Sequence, residues 1–315
     1  MTHTTGVIIL NYNNDIDTIA CIDSLCHTTN DNSYKIIVVD NASNSECRAN
    51  VDKYIAGYDS HLLLNDGDTA PTSLPFITHL HLDQNCGYAR GNNRGLDLAY
   101  ADSEIDRVMI LNNDILLTEN IITPLNNDLD TIADAAIVTP LLYKRDGVSI
   151  DHTCARKAAT LGQILGLWAV LHHTTFGIMH RIYQSQFLLP TSSPDEPLLC
   201  VELPSGSCMM CDKELFRKIG SFDPNTFLYY EENIIWEKIK ALGLSNYLDK
   251  RISCIHLGAA TTSTKSPSAF IAKCSVESTR YFIRNYTNAG LLYRWTLEIF
   301  FALFRLKIGI KSLLK

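Results

Sequence analysis

Before residue 115 the chain repeats one device: a short unbroken apolar run that stops abruptly in a polar cluster. Gly6-Val-Ile-Ile-Leu10 gives way to Asn11-Tyr12-Asn13-Asn14, and Lys35-Ile-Ile-Val-Val39 to Asp40-Asn41-Ala42-Ser43. Val108-Met-Ile-Leu111 ends in Asn112-Asn113-Asp114. Runs of this length without alternation read as strands buried on both faces, as in the middle of a parallel sheet. A helix over roughly 16–26, with Asp15 placed to cap it, follows the first run. A weaker strand, His79–Leu82, leads into Asn85–Asn93 and a helix through Leu96 and Tyr100. Strand alternating with helix predicts an α/β fold with a mostly parallel central sheet and right-handed crossovers. Ligands of such sheets bind at the carboxyl ends of the strands, so the polar clusters share one crevice.

The second half is less regular. Ala136–Pro140, Ser207–Cys211 and Ile252–Gly258 read as strands, and 233–242 as a helix ended by Gly243. Residues 158–190, rich in Leu, His and Phe, read as a variable insertion over the crevice, and the chain from about Phe270 as helical. The expected division is 1–265 as the catalytic domain and 266–315 as a C-terminal helical extension.

Composition narrows the function. A net charge of −7 argues against nucleic acid as a partner. The ten cysteines are scattered and the first residues lack the pattern of a secretory leader, so free thiols and a cytoplasmic location are expected. Cys208 and Cys211, three apart on a strand, face opposite ways and suit no shared metal. Neither G-x-G-x-x-G nor a Walker loop is present, which disfavours a dinucleotide dehydrogenase or a P-loop kinase.

Residues two apart on an extended chain share a side, so Asn112 and Asp114 present two oxygen ligands for a hard cation; the same tripeptide also suits an ordinary turn. Asn11, Asp40 and the 85–93 loop make a candidate nucleotide pocket, because a carboxylate accepts from the imide N–H of uracil or thymine. Gly87 and Gly91 allow close backbone approach, and a helix start at Asn92-Asn93 would offer amides to phosphate. Glu231-Glu232 suits a helix amino terminus on dipole grounds alone.

Taken in order, Asn11-Tyr12-Asn13, Val39-Asp40-Asn41-Ala42-Ser43, Asn85-x-Gly87-Tyr88-Ala89-x-Gly91-Asn92-Asn93, Leu111-Asn112-Asn113-Asp114, Pro204-Ser205-Gly206 and Phe227-Leu-Tyr-Tyr-Glu-Glu232 resemble the family 2 inverting glycosyltransferases of the GT-A fold. The resemblance is closest to the rhamnosyltransferase-like members that build bacterial surface polysaccharides, and spans residues 6 to about 260. It implies that Asn11, Asp40 and Asn41 hold the base and ribose of a UDP- or dTDP-sugar. Tyr12, Asn13, Ser43, Gly87, Arg90 and Asn113 are further donor-site candidates, and Asn92 and Asn93 would lie near the diphosphate. Asn112 and Asp114 occupy the family's D-x-D, which holds Mg²⁺ or Mn²⁺. With a neutral amide at Asn112, Asp114 is the dominant ligand, and His256 is a candidate third. Glu232 stands where the family's Asp acts as general base, beside Glu231; the acid usual three positions later is Ile235 here. The acceptor implied is a glycan or lipid-linked hydroxyl, attacked with inversion.

The C-terminal run from Leu291 mixes bulky apolar residues with Arg294, Arg305, Lys307, Lys311 and Lys315. Its unbroken apolar part, Ile299–Phe304, is too short to span a bilayer. Residues 291–315 suit an interfacial helix on the inner face of the cell membrane, or equally a packing helix or homodimer contact. Two other functions compete: a sugar nucleotidyltransferase, which would want a basic Gly-rich loop near the first strand, and a sugar-nucleotide-binding subunit whose centre has decayed.

Overall fold

The computed structural model describes residues 3–29, 33–170, 181–193, 195–258 and 269–313; parts of the expected insertion and of the expected domain boundary lie outside them. In chain order the strands are β1 (Thr5–Asn11), β2 (Tyr34–Asp40), β3 (His61–Asn65), β4 (Ile77–His81), β5 (Arg107–Asn112) and β6 (Ile115–Leu117). They continue as β7 (Ala135–Lys144), β8 (Ala155–Arg156), β9 (Leu198–Val201), β10 (Leu203–Pro204), β11 (Cys208–Asp212) and β12 (Ser245–His256). The helices are α1 (Asp15–Thr28), α2 (Ser45–Ile55), α3 (Gly87–Ala101), α4 (Ile122–Thr131), α5 (Leu161–Val170), α6 (Lys213–Lys218), α7 (Glu231–Lys240), α8 (Ala269–Asn285) and α9 (Leu291–Leu313).

The main sheet runs β3-β4-β2-β1-β5-β11-β7-β12-β6, with β9 also paired to β12. From β3 to β5 every neighbour is parallel. β11 is antiparallel to both β5 and β7, and β12 runs parallel to β7. β1, β2 and β5 are buried on both faces. Val7, Ile9, Ile36 and Val38 pack against Ile22 and Leu25 of α1 and Val51 and Ile55 of α2. Ile8, Ile37 and Val39 pack on the other side against Leu96 of α3 and Ile235 and Ile239 of α7. Each fully buried Ile or Val contributes roughly 1.5–3 kcal/mol, enough to fix the register of these runs. A third cluster joins Trp168 of α5, Ile234 of α7, Val276 and Phe282 of α8 and Leu297 and Phe301 of α9.

Several expectations need correction. The cap of α1 is Asn14, whose side chain accepts from the Asp17 amide, with Asp15 inside the first turn. α3 begins at Gly87, so Asn92 and Asn93 sit inside the helix and offer no free amide terminus. Here the left-handed Gly87 (φ 81°) starts the helix earlier than the polarity suggests. The extended chain ends at Asn112, and Asn113-Asp114 form a turn into β6, so the two-residue strand argument for Asn112 and Asp114 does not hold. β12 starts at Ser245 rather than Ile252, because its first half pairs with β9 and β7.

Candidate active site

The first two strand-end clusters are knitted into one buried network. Asn11, fully buried at the end of β1, donates from Nδ2 to Asp40 Oδ2 (3.3 Å), and its Oδ1 accepts from Thr18 Oγ1 (3.1 Å). Asp40 Oδ1 accepts from the Ser43 amide (3.0 Å) and pairs with Arg48 (2.9 Å). Asn13 receives the Asn44 amide (2.8 Å) and gives its own amide to Ser43 Oγ (2.9 Å). Asn41 donates to Asn85 Oδ1 (3.0 Å) and Gly87 O (3.2 Å) and accepts from the Cys86 amide (2.8 Å). Asn11, Asp40 and Asn41 therefore spend their polar atoms holding the loops around β1, β2 and α3. Tyr12, 40% exposed, is the open member of this group.

The α3 residues serve packing as well. A Cβ on Gly87 would lie 2.4 Å from Phe227 O, and one on Gly91 2.6 Å from Leu10 Cδ1. Both glycines are thus places where protein approaches protein closely. Asn93 bonds both the amide and the carbonyl of Phe222 (3.1 and 2.9 Å), and Arg90 Nε reaches Pro224 O (2.6 Å). Asn92 donates to Tyr88 O (3.0 Å) while its Oδ1 is buried without a partner among the described residues.

A cavity of about 400 Å³ opens at the end of β5. Asn112, Tyr88, Gly206, Glu231 and Glu232 line it, with Ile164 and Tyr183 from the 158–190 segment. The Asn112 amide donates to Ser207 O (2.7 Å), and Tyr88 Oη donates to Gly206 O (2.7 Å). Burial first, then the charges of Glu232, Glu231 and Asp114, raises the Tyr88 phenol well above its ordinary pKa, so it stays a donor. The acids reach the cavity through an unusual turn: Tyr229 (φ 77°) and Tyr230 (φ 72°) are both left-handed immediately before α7. Such strain costs roughly 1–3 kcal/mol per residue and persists only where packing over-determines it. α8 does so here: Ser278 Oγ donates to Leu228 O (2.8 Å), and Phe282 packs on the Tyr230 ring (5.1 Å).

The two acids differ. Glu231 is 5% exposed, and its Oε1 has no hydrogen-bond partner among the described residues. Burial, then the neighbouring Glu232 charge, pushes its carboxyl up to about 8. Glu232 Oε1 accepts from the Gly206 amide (3.2 Å); among the described residues only that oxygen is engaged. The sequence left Gly206's partner unassigned, although its small size beside Tyr88 and Glu232 is the signal.

Asp114 Oδ2 lies 3.5 Å from His256 Nε2, whose Nδ1 lies 3.3 Å from Asp151 Oδ2. Burial opposes the imidazolium, but hydrogen bonds to Asp114 and Asp151 outweigh it and push its pKa up to about 9. Asp151, which sequence reading missed, is brought in by the loop after β7. Asp114 Oδ1 is buried without a partner among the described residues. A divalent cation would satisfy that oxygen, and the His256 imidazole could join it as a ligand only by giving up its proton. Asn113 Nδ2 turns away, donating to Thr18 Oγ1 (2.9 Å).

A mixed α/β sheet with a ligand-sized cavity at the end of β5, and an orphaned carboxylate in the turn that follows, has the form of a ligand-binding α/β domain. The model of glycosyl transferase family 2 matches residues 6–185, and the chain belongs to that family. A hexosyltransferase of low-salt glycan biosynthesis from Haloferax volcanii, Agl10, is 24% identical over 227 residues, 72% of this chain. The chain spans 58% of that relative's length. Among solved structures, the mannosyltransferase PcManGT from Pyrobaculum calidifontis, in complex with GDP-Man and Mn²⁺, superposes with a TM-score of 0.53 at 13% identity, over 95% of this chain and 69% of that one. GalNAc-T7 with UDP, GalNAc and Mn²⁺ gives 0.57 at 16% identity, over 99% of this chain and 57% of that one. The fold is GT-A: a mixed α/β sheet, parallel from β3 to β5, flanked by helices.

Proposed function

We infer that the chain transfers a hexose, rhamnose in the first instance, from a UDP- or dTDP-sugar to a glycan or lipid-linked hydroxyl, with inversion. The observation that carries this reading is the convergence of Asn112, Glu231 and Glu232 on one cavity of about 400 Å³. Glu232, held through Oε1 by the Gly206 amide, keeps its second oxygen for the acceptor. It takes the acceptor's proton as that oxygen attacks the anomeric carbon in line. The bond from that carbon to the diphosphate breaks, its electron pair leaves with the nucleotide, and the centre inverts. Asp114, with Asn112 and His256, would hold Mg²⁺ or Mn²⁺. Such an ion, when bound, neutralises charge developing on the diphosphate. Glu231, protonated at neutral pH, adds no second negative charge beside the base.

The test is nucleotide release from a panel of UDP-, dTDP- and GDP-sugars with glycan and lipid-linked acceptors, and the anomeric configuration of any product. One donor should stand out, with release requiring an acceptor hydroxyl and the product inverted. Pyrophosphate release would instead favour a nucleotidyltransferase, donor binding without release a binding subunit, and a retained anomeric centre removes Glu232 as base.

Membrane docking through α9 is part of the same reading. Leu297, Phe301 and Phe304 face the third core cluster. On the opposite side Leu292, Trp295, Ile299, Leu303 and Leu306, three or four residues apart, stand 46% to 82% exposed. Arg305 is exposed on the same helix. An apolar face with basic residues beside it suits the headgroup boundary of an anionic bilayer. No helix among the described residues is long and apolar enough to cross a membrane. Deleting α9 would strip Leu297 and Phe301 from the core, so replacing Trp295, Ile299 and Leu303 together by Ser is the cleaner test. The folded triple variant should stay in the supernatant with anionic vesicles that sediment the parent chain; equal sedimentation of both removes the membrane role.

A further inference from the structure

Away from the cavity, on the face of the sheet covered by α2, three side chains converge without a role in sugar transfer. His79 and His81, two apart on β4, point to the same side, and Asp52 comes from the third turn of α2. Asp52 Oδ1 lies 2.7 Å from His79 Nδ1 and 2.8 Å from His81 Nε2, and the two nitrogens are 3.3 Å apart. Among the described residues this is the group of His, Cys, Asp and Glu side chains whose ligand atoms lie close enough to hold one ion.

We propose that Asp52, His79 and His81 form a second metal site, of zinc type and separate from the diphosphate site. The argument is geometric. Zinc binds imidazole nitrogen and carboxylate oxygen at about 2.0–2.2 Å in a tetrahedron, whose ligand atoms then stand roughly 3.3 Å from one another. The two nitrogens already have that separation, while the oxygen stands 2.7 and 2.8 Å from them and would move out by about half an ångström on binding. An ion at that bond length would sit about 1 Å off the plane of the three atoms. A hydrogen-bonded cluster would explain each nitrogen's contact with the carboxylate, but would not require the nitrogens to crowd each other. The rings meet edge to face, crossing at 89°. His79 Nε2 is buried with no partner among the described residues, so this ring is oriented from its Nδ1 side. His79 is fully shielded, whereas the side chains of His81 and Asp52 are 14% and 27% exposed, which leaves a fourth position for water. Two imidazoles favour zinc over Mg²⁺ or Ca²⁺, which prefer all-oxygen sites.

The site would act as a clamp between α2 and β4. Arg48, one turn before Asp52, pairs with Asp40 and donates to the Leu82 carbonyl (3.2 Å) at the end of β4. Zinc here would therefore steady the end of β2 that carries Asp40 and add to folding stability, as structural sites do.

The experiment uses the full chain, stripped of metal, titrated with zinc alone and with cobalt(II) alone. The expected result is one zinc equivalent, a tetrahedral cobalt spectrum lacking a sulfur-to-cobalt charge-transfer band, and a zinc-dependent rise in melting temperature. Asp114→Asn should retain all three. Asp52→Asn with His81→Gln, both partly exposed positions, should weaken zinc at least about 100-fold and abolish the rise in melting temperature. His81→Gln alone serves if the double variant does not fold by circular dichroism. A thiolate cobalt band, zinc binding unchanged in a folded variant, loss of the site in Asp114→Asn, or no zinc taken up by the parent chain each overturns the proposal.

Discussion

Glu232→Gln is expected to lower turnover by about 10²–10⁴-fold while leaving donor affinity unchanged, because the amide keeps the Gly206 hydrogen bond but takes no proton. Glu231→Gln should change turnover at pH 7 by less than about tenfold, since a carboxyl raised to about 8 is already mostly protonated there. Steady-state rates at saturating donor, beside calorimetric titration of the nucleotide, separate the two. Glu231 also makes a stability prediction. Its folded pKa stands above its ordinary value near 4.5, so the unfolded chain ionises first as pH rises. The folded state loses stability between those values, and the loss levels off above about 8. Relative to the parent, Glu231→Gln should therefore gain in melting temperature from pH 5 to pH 8.5. If Glu231→Gln is the variant dead in turnover with intact binding, the roles are exchanged.

Asp114→Asn should have an effect of similar size by a different route. Removing the carboxylate that carries the orphaned Oδ1 should weaken Mn²⁺-supported donor binding and cut turnover roughly 10²–10⁴-fold, several kcal/mol of lost charge neutralisation. Donor titrations with and without Mn²⁺ should coincide for the variant and differ for the parent. Full activity of the parent in excess EDTA would sink the assignment and leave the diphosphate to protein cations.

Both predictions concern residues that the sequence marks but whose surroundings it does not. β1, β2 and β5 could be read directly, because a strand buried on both faces must be apolar throughout and must end where the crevice begins. The motif order from Asn11 to Glu232 placed the chain in its family for a related reason: short motifs at strand ends survive as linear text. α2 and β3 were not legible, since each mixes buried with exposed residues and is held by neighbours distant in sequence. The same applies to the first half of β12, whose partners are β7 and β9.

What only the tertiary structure decided is how each polar group is used. Asn11, Asp40 and Asn41 bond the loops around β1, β2 and α3, because buried amides and carboxylates must find partners wherever the fold brings them. Gly91 allows a close approach, and the side chain that approaches it is Leu10. Asp151 joins His256 across 105 residues, and Asp52 meets His79 across 27, so no local pattern could announce either. The mix of bulky apolar and basic residues in α9 suited a helix with one face to bury. Only packing decided that Phe301 goes inside while Trp295 stays in the open, since which face meets α5, α7 and α8 depends on where the rest of the chain has placed them.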